Sequence, residues 1–328
     1  MVRFGIIGCG RIGAVHGQSI KALDNASTVA VSDPFAESAE RLAASLGAQV
    51  RSSDEIIASE DVDAVIIATP TTTHYDLIHA SARAGKAIFC EKPIDMSADR
   101  IRDCIKVVAD NKLAFMTGFN RRFDGNFANL QARIAAGEIG DVEMVTILSR
   151  DPAPPPIDYI KTSGGIFRDM MIHDFDMARF LLGEEPVSIY ATGSSLVDPA
   201  IGEAGDVDTA AVNLKTTSGK ICQISNSRRA TYGYDQRLEV HGSKGMLRAE
   251  NQLENSVEIA TETGFSRAPT QHFFLERYHG AYIAELKHFA DCLEAGKKPD
   301  PTAEDGLRAQ LMADAATRSC ETGEVQAL

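Results

Sequence analysis

The stretch MVRFGIIGCGRIG, residues 1–13, joins a short apolar run to the pattern G-x-G-x-x-G, whose glycines are Gly8, Gly10 and Gly13. The apolar run predicts a buried strand, and a helical pattern opens within the glycine loop. Strand, turn and helix in this order are what a dinucleotide-binding βαβ unit requires, because the glycines let the backbone approach a pyrophosphate at the helix N-terminus. The alternative is a tight strand–helix turn without a ligand. Because both the preceding strand and the following helix are predicted, the dinucleotide-binding interpretation is favoured over a turn without a ligand.

Asp33 supplies the acidic residue that such a site needs, 20 residues after Gly13 and at the end of the second predicted strand. Its carboxylate would bind the hydroxyls of the adenosine ribose. The same carboxylate would repel a 2′-phosphate, which favours NAD over NADP. Arg11, inside the glycine loop, adds a positive charge that works against this preference. The sequence therefore predicts NAD as the cofactor.

The first third of the chain alternates short apolar runs with helical patterns. The predicted strands are VRFGIIG, STVAVSD, DAVIIATP and AIFCEKP, and the helices between them include AESAERLAASLG, closed by Gly47, and THYDLIHASARAGK. Continuous apolar strands separated by helices are typical of a parallel sheet that is covered on both faces. Residues 1–120 are therefore predicted to form a doubly wound Rossmann domain.

After about residue 120, predicted strands follow one another without helices between them. They are VEMVTILSR, PVSIYATGS, TAAVNLKT, KICQISNS, QRLEVHG, GMLRAEN and SVEIATE. Apolar residues alternate with polar ones in several of them, as at Leu238 and Val240 and at Val257 and Ile259. This succession indicates a large, mostly antiparallel sheet. The predicted fold class is thus α/β, with a second domain over residues 121–328.

Composition and charge exclude several classes of protein. The chain has 328 residues, 44% of them apolar, and its net charge of −13 includes no basic cluster that would bind a nucleic acid. No apolar run approaches the roughly 20 residues of a membrane span, and the N-terminus lacks the pattern of a signal peptide. The six cysteines are scattered without a C-x-x-C pair, which indicates reduced thiols in a cytoplasmic protein and no metal site.

Lys92 follows the strand AIFCE, within the segment Glu91-Lys92-Pro93. Ligands of a doubly wound sheet gather at the carboxyl ends of its strands, and the proline favours an extended backbone at the lysine. An exposed lysine without a role is nevertheless the commonest fate of this residue type. From this segment alone, the two interpretations are balanced.

The stretch GGIFRDMMIHDFDMARFLLG, residues 164–183, reads as an apolar helix that carries Asp169 and His173 four positions apart. In a continuous helix this spacing brings both side chains onto one face. An imidazole can accept a proton at neutral pH, and the carboxylate could orient the ring or bind a substrate hydroxyl. A surface pair or a metal site would use the same residue types, but no third ligand stands at a recognisable spacing. Asp174 and Asp176 are expected at polar positions of the helix.

The glycine loop, the Glu-Lys-Pro segment and the block GG-x-F-x-D-x-x-x-H-D-x-D together resemble the glucose–fructose oxidoreductase and inositol dehydrogenase family over nearly the whole chain. The segments GFNRRFD, SRDPAPPP and YGYD are most similar to the inositol dehydrogenases of that family. The resemblance implies a Rossmann domain followed by a substrate-binding α/β domain whose open antiparallel sheet builds tetramers. It also implies an NAD-dependent enzyme of inositol catabolism that oxidises a ring hydroxyl of myo-inositol to 2-keto-inositol, with no nucleic-acid or membrane partner.

The resemblance also implies roles for particular residues. Lys92, Asp169 and His173 would form the catalytic group, with the lysine stabilising the developing alkoxide. Candidate substrate contacts are Arg121, Asp151 and Tyr234. The residues expected at the cofactor are Gly8, Gly10, Arg11, Ile12, Gly13, Asp33, Thr69, Pro70, His74, Glu91 and Lys92. Asp151 departs from the family pattern, because inositol dehydrogenases are expected to have an asparagine near the start of the proline stretch.

Three other functions are compatible with these patterns. The substrate could be another inositol isomer or an aldose, or the enzyme could be an NAD-dependent glycosidase that oxidises its substrate transiently. The third alternative is a non-catalytic sensor that binds the dinucleotide. Such a sensor should lack the Lys-Pro segment and the Asp–His set, and this chain keeps both.

Overall fold

The computed structural model describes all residues from Met1 to Leu328 and divides them into two compact units. The first unit comprises Met1–Phe123 and Gly280–Gln310, and the second comprises Asp124–His279 and Leu311–Leu328. Each unit has its own large sheet. The chain therefore returns to the first unit after it has built most of the second.

Strands and helices alternate regularly only in the first part of the chain. The strands are β1 (Val2–Ile7), β2 (Ala26–Ser32), β3 (Gln49–Val50), β4 (Ala64–Ile67), β5 (Ala87–Glu91), β6 (Phe115–Gly118), β7 (Val142–Arg150), β8 (Pro186–Ser194), β9 (Thr209–Thr216), β10 (Ile221–Ser227), β11 (Asp235–Gly242), β12 (Gly245–Ala249), β13 (Glu258–Thr261), β14 (Gly264–Arg267) and β15 (Gln326–Ala327). The helices are α1 (Arg11–Lys21), α2 (Ala36–Leu46), α3 (Ser53–Ala58), α4 (His74–Arg83), α5 (Ala98–Asp110), α6 (Gly125–Ala135), α7 (Ile157–Ser163), α8 (Ile166–Asp169), α9 (Ile172–Leu182), α10 (Pro199–Glu203), α11 (Phe274–Arg277), α12 (His279–Glu294) and α13 (Ala303–Thr322). No helix combines the length and the apolar character that crossing a bilayer requires.

The sheet of the first unit is parallel throughout, in the order β3-β2-β1-β4-β5-β6. The predicted doubly wound Rossmann sheet is therefore confirmed. The strand order reverses between β1 and β4, and in open sheets of this kind ligands bind outside the carboxyl ends of the strands at such a reversal. The loops that follow β1, β2, β4 and β5 are thus the loops where this rule places a ligand.

The core of the first unit forms because its central strands are apolar on both faces. All four residues of β4 are buried, as expected for a parallel sheet covered by helices. The helix α2 ends at Gly47, which adopts the left-handed conformation with φ of +70°, so the predicted glycine cap is confirmed. The later helix α12 contributes Leu286, Phe289 and Ala290 to the same core, and the ring of Phe289 lies 6.0 Å from that of Phe4.

The sheet of the second unit has seven strands, in the order β12-β11-β7-β10-β9-β8-β15. Only β7 and β10 pair in parallel, and the other neighbours are antiparallel. The prediction of a mostly antiparallel sheet is therefore confirmed. Leu238 and Val240 are buried, but Val257 and Ile259 are 71% and 58% exposed. The reason is that β13 pairs with β14 in a separate hairpin instead of joining the large sheet.

The predicted continuous helix around the acid–imidazole pair is wrong, because the chain forms α8 and α9 with a break between them. The amides of Met170 and Met171 both donate to the carbonyl of Ile166, at 3.0 and 2.9 Å. This shared acceptor shifts the helical hydrogen-bond ladder by one residue. Asp169 therefore ends one helix and His173 lies in the first turn of the next, so the stacking of residues four apart in a regular helix does not apply to them.

The two acidic residues after His173 are not at a polar helix surface. Asp174 is fully buried and accepts a hydrogen bond of 2.8 Å from Nδ2 of Asn226. Asp176 is 1% exposed and lies 3.8 Å from a guanidinium nitrogen of Arg179. Buried carboxylates are tolerated only with such partners, which the sequence pattern alone does not reveal.

Candidate functional site

The loop between β1 and α1 has a backbone that requires glycine at two positions. A Cβ on Gly8, whose φ is +101°, would lie 2.5 Å from the carbonyl oxygen of Ala68, and a Cβ on Gly13 would lie 1.9 Å from the carbonyl oxygen of Gly8. Around Gly10, at the N-cap of α1, no atom lies within 4 Å of the Cβ position. The loop therefore leaves open space in front of the helix N-terminus. Such a space is suited to a pyrophosphate, because helix amides and the helix dipole favour an anion.

The carboxylate of Asp33 is held by two backbone amides. Its Oδ2 accepts from the amide of Cys9 at 2.7 Å, and its Oδ1 accepts from that of Phe35 at 2.8 Å. It stands at the edge of an open cavity of about 500 Å³. The cavity is lined by Ser32, Asp33, Pro34, Ala36, Val50, Arg51, Ser52, Ser53 and Glu55. A fixed carboxylate at this place suits ribose hydroxyls and opposes a phosphate.

His74 is buried between two loops of the sheet's carboxyl edge. Its Nδ1 lies 3.0 Å from the carbonyl oxygen of Pro93 and its Nε2 lies 2.9 Å from that of Thr69. Burial lowers the pKa of His74, so the ring is neutral and can donate to only one of the two carbonyls at a time. The ring thus joins the loop after β4 to the loop after β5. Its predicted role at the cofactor stays a prediction.

Lys92 follows β5, and its backbone is tied to the side chain of the preceding Glu91. Oε2 of Glu91 accepts from the amide of Lys92 at 3.3 Å, while Oε1 lies 2.6 Å from Nε2 of His16. Gly118 makes room for this carboxylate, because a Cβ there would lie 3.0 Å from its atoms. The Glu-Lys-Pro segment is therefore anchored to α1, the helix that begins at the glycine loop.

In the second unit, the carboxylate of Asp169 is held by two side chains from other segments. Its Oδ1 accepts from the hydroxyl of Tyr159 at 2.8 Å, and its Oδ2 lies 3.3 Å from both terminal nitrogens of Arg228. Partial burial of the hydroxyl and the charge of Asp169 raise the pKa of Tyr159, so the hydroxyl stays protonated and donates. Arg228 is 1% exposed and also lies 3.8 Å from Asp206.

The remaining predicted residues occupy varied environments. Arg121 lies in a 3₁₀ turn at the end of the first unit and is 5% exposed. In the second unit, the amide of Asp151 donates to the carbonyl of Ser227 at 3.0 Å. Tyr234 is 6% exposed, and its ring meets that of Tyr278 edge-on, with centroids 5.9 Å apart. The structure thus groups Lys92 and Glu91 in one unit and Asp169 with its partners in the other.

Three residues of this arrangement were not predicted as site residues. His16 follows Gly13 by three positions, so helical spacing could have placed it on the same face of α1. Arg228 belongs to an arginine doublet after a strand, which is a weak signal for a buried ion pair. Nothing in the sequence marks Tyr159, since only the folded chain brings it to Asp169.

Comparisons with known proteins agree with both halves of this description. Residues 2–119 match the oxidoreductase family with an NAD-binding Rossmann fold, and residues 131–328 match the C-terminal alpha/beta domain of the same oxidoreductase family. Inositol 2-dehydrogenase of Rhizobium meliloti is 59% identical over 318 residues, which cover 97% of this chain and 96% of that protein.

Solved structures resemble the chain over its full length. The structure of a myo-inositol dehydrogenase from Corynebacterium glutamicum has a TM-score of 0.96 and 44% identity, covering 100% of this chain and 99% of that chain. A scyllo-inositol dehydrogenase from Lactobacillus casei, solved with NAD(H) and scyllo-inositol, has a TM-score of 0.93 and 30% identity, with coverage of 100% and 99%.

Proposed function

Since this chain belongs to the oxidoreductase family that joins an NAD-binding Rossmann fold to a C-terminal alpha/beta domain, we propose that it oxidises one ring hydroxyl of myo-inositol to the ketone and transfers the hydride to NAD. The membership itself confirms the predicted family, the NAD cofactor and the enzyme class, and it favours a catalyst over a non-catalytic sensor. The observation that carries the choice of substrate is the 59% identity to an inositol 2-dehydrogenase over nearly all of both chains.

We propose that His173 accepts the proton of the reacting hydroxyl. An imidazole that titrates near neutral pH is suited to this step. The bound nicotinamide supplies the hydride acceptor. The proton and the hydride leave the same CH–OH group, so the products are a ketone, reduced cofactor and one proton.

Asp169 either orients the ring of His173 or binds a second substrate hydroxyl. The contacts with Tyr159 and Arg228 support the view that the carboxylate is fixed in direction, because donors from two other segments hold both of its oxygens. The ammonium of Lys92 would stabilise the alkoxide that develops as the proton leaves, a role in which a preorganised cation is effective once water is excluded.

The two parts of the chain have separate roles in this proposal. Residues 1–120 would bind the cofactor through the glycine loop, Asp33, and the loops that carry Thr69, Pro70, Glu91 and Lys92. Residues 121–328 would bind the polyol and form a homotetramer through the large sheet, with Arg121, Asp151 and Tyr234 at the substrate. The reaction would serve inositol catabolism in the cytoplasm, where the cysteines, all of them free thiols in this structure, stay reduced.

Asp151 is the reason to test a second substrate, another inositol isomer such as scyllo-inositol. A carboxylate only accepts hydrogen bonds when ionised, whereas the asparagine expected there also donates. The orientation of ring hydroxyls that fits the site therefore depends on this residue.

The test is the rate of NADH formation with purified enzyme across myo-inositol, scyllo-inositol, D-chiro-inositol and common aldoses. We expect the highest kcat/KM with myo-inositol and none with a Lys92→Ala variant used as the control for contaminating activity. A faster reaction with another inositol would replace myo-inositol as the substrate. A much faster reaction with an aldose would overturn the inositol assignment altogether.

A further inference from the structure

Arg51 is the one cation among the residues that line the cavity beside Asp33. A guanidinium at this position could bind a 2′-phosphate, since its planar fork matches phosphate oxygens. Asp33 and Glu55, in contrast, bring negative charge to the same cavity. Whether the cavity accepts NADP therefore depends on where the guanidinium of Arg51 points.

All five N–H donors of Arg51 are directed to other residues of the chain. The terminal nitrogens form a bidentate pair with Asp61, both at 2.7 Å. Nε and Nη2 lie 3.1 and 3.0 Å from Oε1 of Gln49, and Nη1 lies 3.2 Å from Oγ of Ser59. No donor is left to meet a phosphate without breaking one of these bonds.

Asp61 is the only charged residue among the hydrogen-bond partners of Arg51, so it contributes most to fixing the position of the guanidinium. Its hydrogen bonds with Arg51, followed by that with Ser59, hold the pKa of its carboxyl below the ordinary range, so it stays ionised at any pH where the enzyme works. Charge-assisted bidentate pairs are roughly twice as strong as neutral hydrogen bonds. Gln49 and Ser59 alone would compete weakly with a phosphate dianion.

We propose that Asp61 is a determinant of coenzyme choice, because it holds the guanidinium of Arg51 away from the 2′-position of the adenosine ribose. The inference rests on the proposed placement of that ribose at Asp33. Two devices then select NAD in the same cavity. The carboxylate of Asp33 repels a 2′-phosphate, and Asp61 withholds the cation that would otherwise attract it.

The experiment compares the dissociation constants of NADPH and NADH, measured by nucleotide fluorescence, for Asp33→Ser and for Asp33→Ser/Asp61→Asn. We expect NADPH binding to improve in the first variant and to improve by roughly another ten- to a hundredfold in the second, the range of one charged hydrogen bond. Circular dichroism and thermal melting verify that each variant is folded.

Two further variants make the result specific. Adding Arg51→Gln to the double variant should abolish the second gain, because the gain comes from the released guanidinium. Asp33→Ser/Asp63→Asn is the matched control. Asp63 lies two positions from Asp61 in the sequence and pairs with Arg3 at 2.7 Å, and it does not line the cavity. The Asp63→Asn substitution therefore removes the same charge as Asp61→Asn without releasing Arg51.

The outcomes separate the inference from its premise. If NADPH binding does not improve in Asp33→Ser, the placement of the ribose at Asp33 is wrong. If it improves there but no further in the double variant, the role of Asp61 is wrong. An equal second gain in the Asp63 control, or a gain that survives Arg51→Gln, would reduce the effect to net charge and overturn the inference as well.

Discussion

The buried His16 pairs with the partly buried Glu91, with Nε2 of the ring 2.6 Å from Oε1 of the carboxylate. The ring lies on α1, the helix that begins at the glycine loop, and the carboxylate also accepts from the amide of Lys92. One contact thus joins the loop expected to bind the pyrophosphate to the segment that carries the proposed catalytic lysine. Both belong to the first unit.

We predict that His16→Asn and Glu91→Gln each lower kcat by about tenfold or more, because the anchor that fixes the backbone of Lys92 is weakened. The measurement is kcat and KM for each substrate. His79→Asn is the matched control, since His79 also lies close to a carboxylate, 3.3 Å from Asp103, in the same unit. A normal kcat in His16→Asn would show that the pair only stabilises the fold.

Glu285 gives a prediction about stability and pH. It is fully buried on α12, and neither carboxylate oxygen has a hydrogen-bond partner in the protein. Burial, followed by the charge of Glu91, raises its pKa well above the usual value. The folded state therefore holds a proton that the unfolded chain releases, so this contribution to stability is complete below the unfolded pKa and is lost as pH rises towards the folded one.

We expect Glu285→Gln to flatten the decline of the free energy of unfolding above pH 5, which one proton can steepen by up to about 1.4 kcal/mol per pH unit. Urea unfolding at several pH values between 5 and 8 measures this slope. Glu294→Gln, on the same helix, is the control. Hydrogen bonds to the N-terminus and to Asn25 lower the pKa of Glu294, so its removal should change the slope only at more acidic pH. An unchanged slope in Glu285→Gln would show that Glu285 is ionised in the folded protein.

Lys92→Ala should fold normally and lose most of its turnover. The lysine stands in a loop after β5, so little packing is lost, while stabilisation of the alkoxide is removed. Steady-state kinetics separate the possibilities, because a retained kcat with a raised KM would limit Lys92 to substrate binding. Lys106→Ala, on the exposed face of α5, is the matched control and should change neither parameter.

His173→Ala should reduce the rate by roughly 10²–10⁴, the range for a positioned acid–base group. In the unchanged enzyme, kcat/KM should rise with pH through the titration of this ring, and the variant should lose that acid limb. Asp169→Asn should keep the fold and lower the rate, and Tyr159→Phe should do so less, because Arg228 still holds the carboxylate. Near-normal turnover of His173→Ala with the same pH profile would assign the ring a structural role.

The features that were predicted most accurately from the sequence are those that depend on the local alternation of apolar and polar residues. The strands β7, β8 and β9 begin and end at the predicted residues, because alternation of apolar and polar residues along a half-buried strand marks both ends. A strand at Val257 was predicted from the same alternation, yet β13, which begins at the next residue, pairs with β14 in a separate hairpin and does not join the large sheet. Pairing partners depend on tertiary contacts that a period of two cannot encode.

The candidate site was predictable where a motif specifies backbone conformation, as at Gly8 and Gly13. The site was not predictable where separate segments of the chain come into contact, as where Tyr159 and Arg228 both bind the carboxylate of Asp169. The break after Asp169 escaped prediction too, because Met170 and Met171 are ordinary helix formers. The shift of one residue in the helical hydrogen-bond pattern at Met171 cannot be recognised from the spacing of apolar residues in this stretch.

The contribution of α12 to the core of the first unit has a consequence for biosynthesis. The parallel sheet is complete at Gly118, but Leu286, Phe289 and Ala290, which belong to its apolar core, are made 168 to 172 residues later. At roughly 5–20 residues per second, the nascent chain leaves this apolar surface uncovered on the ribosome for about ten to thirty seconds. A fragment ending near Phe123 would keep the surface exposed permanently. The glycine loop thus acquires its complete scaffold only after α12 has been translated.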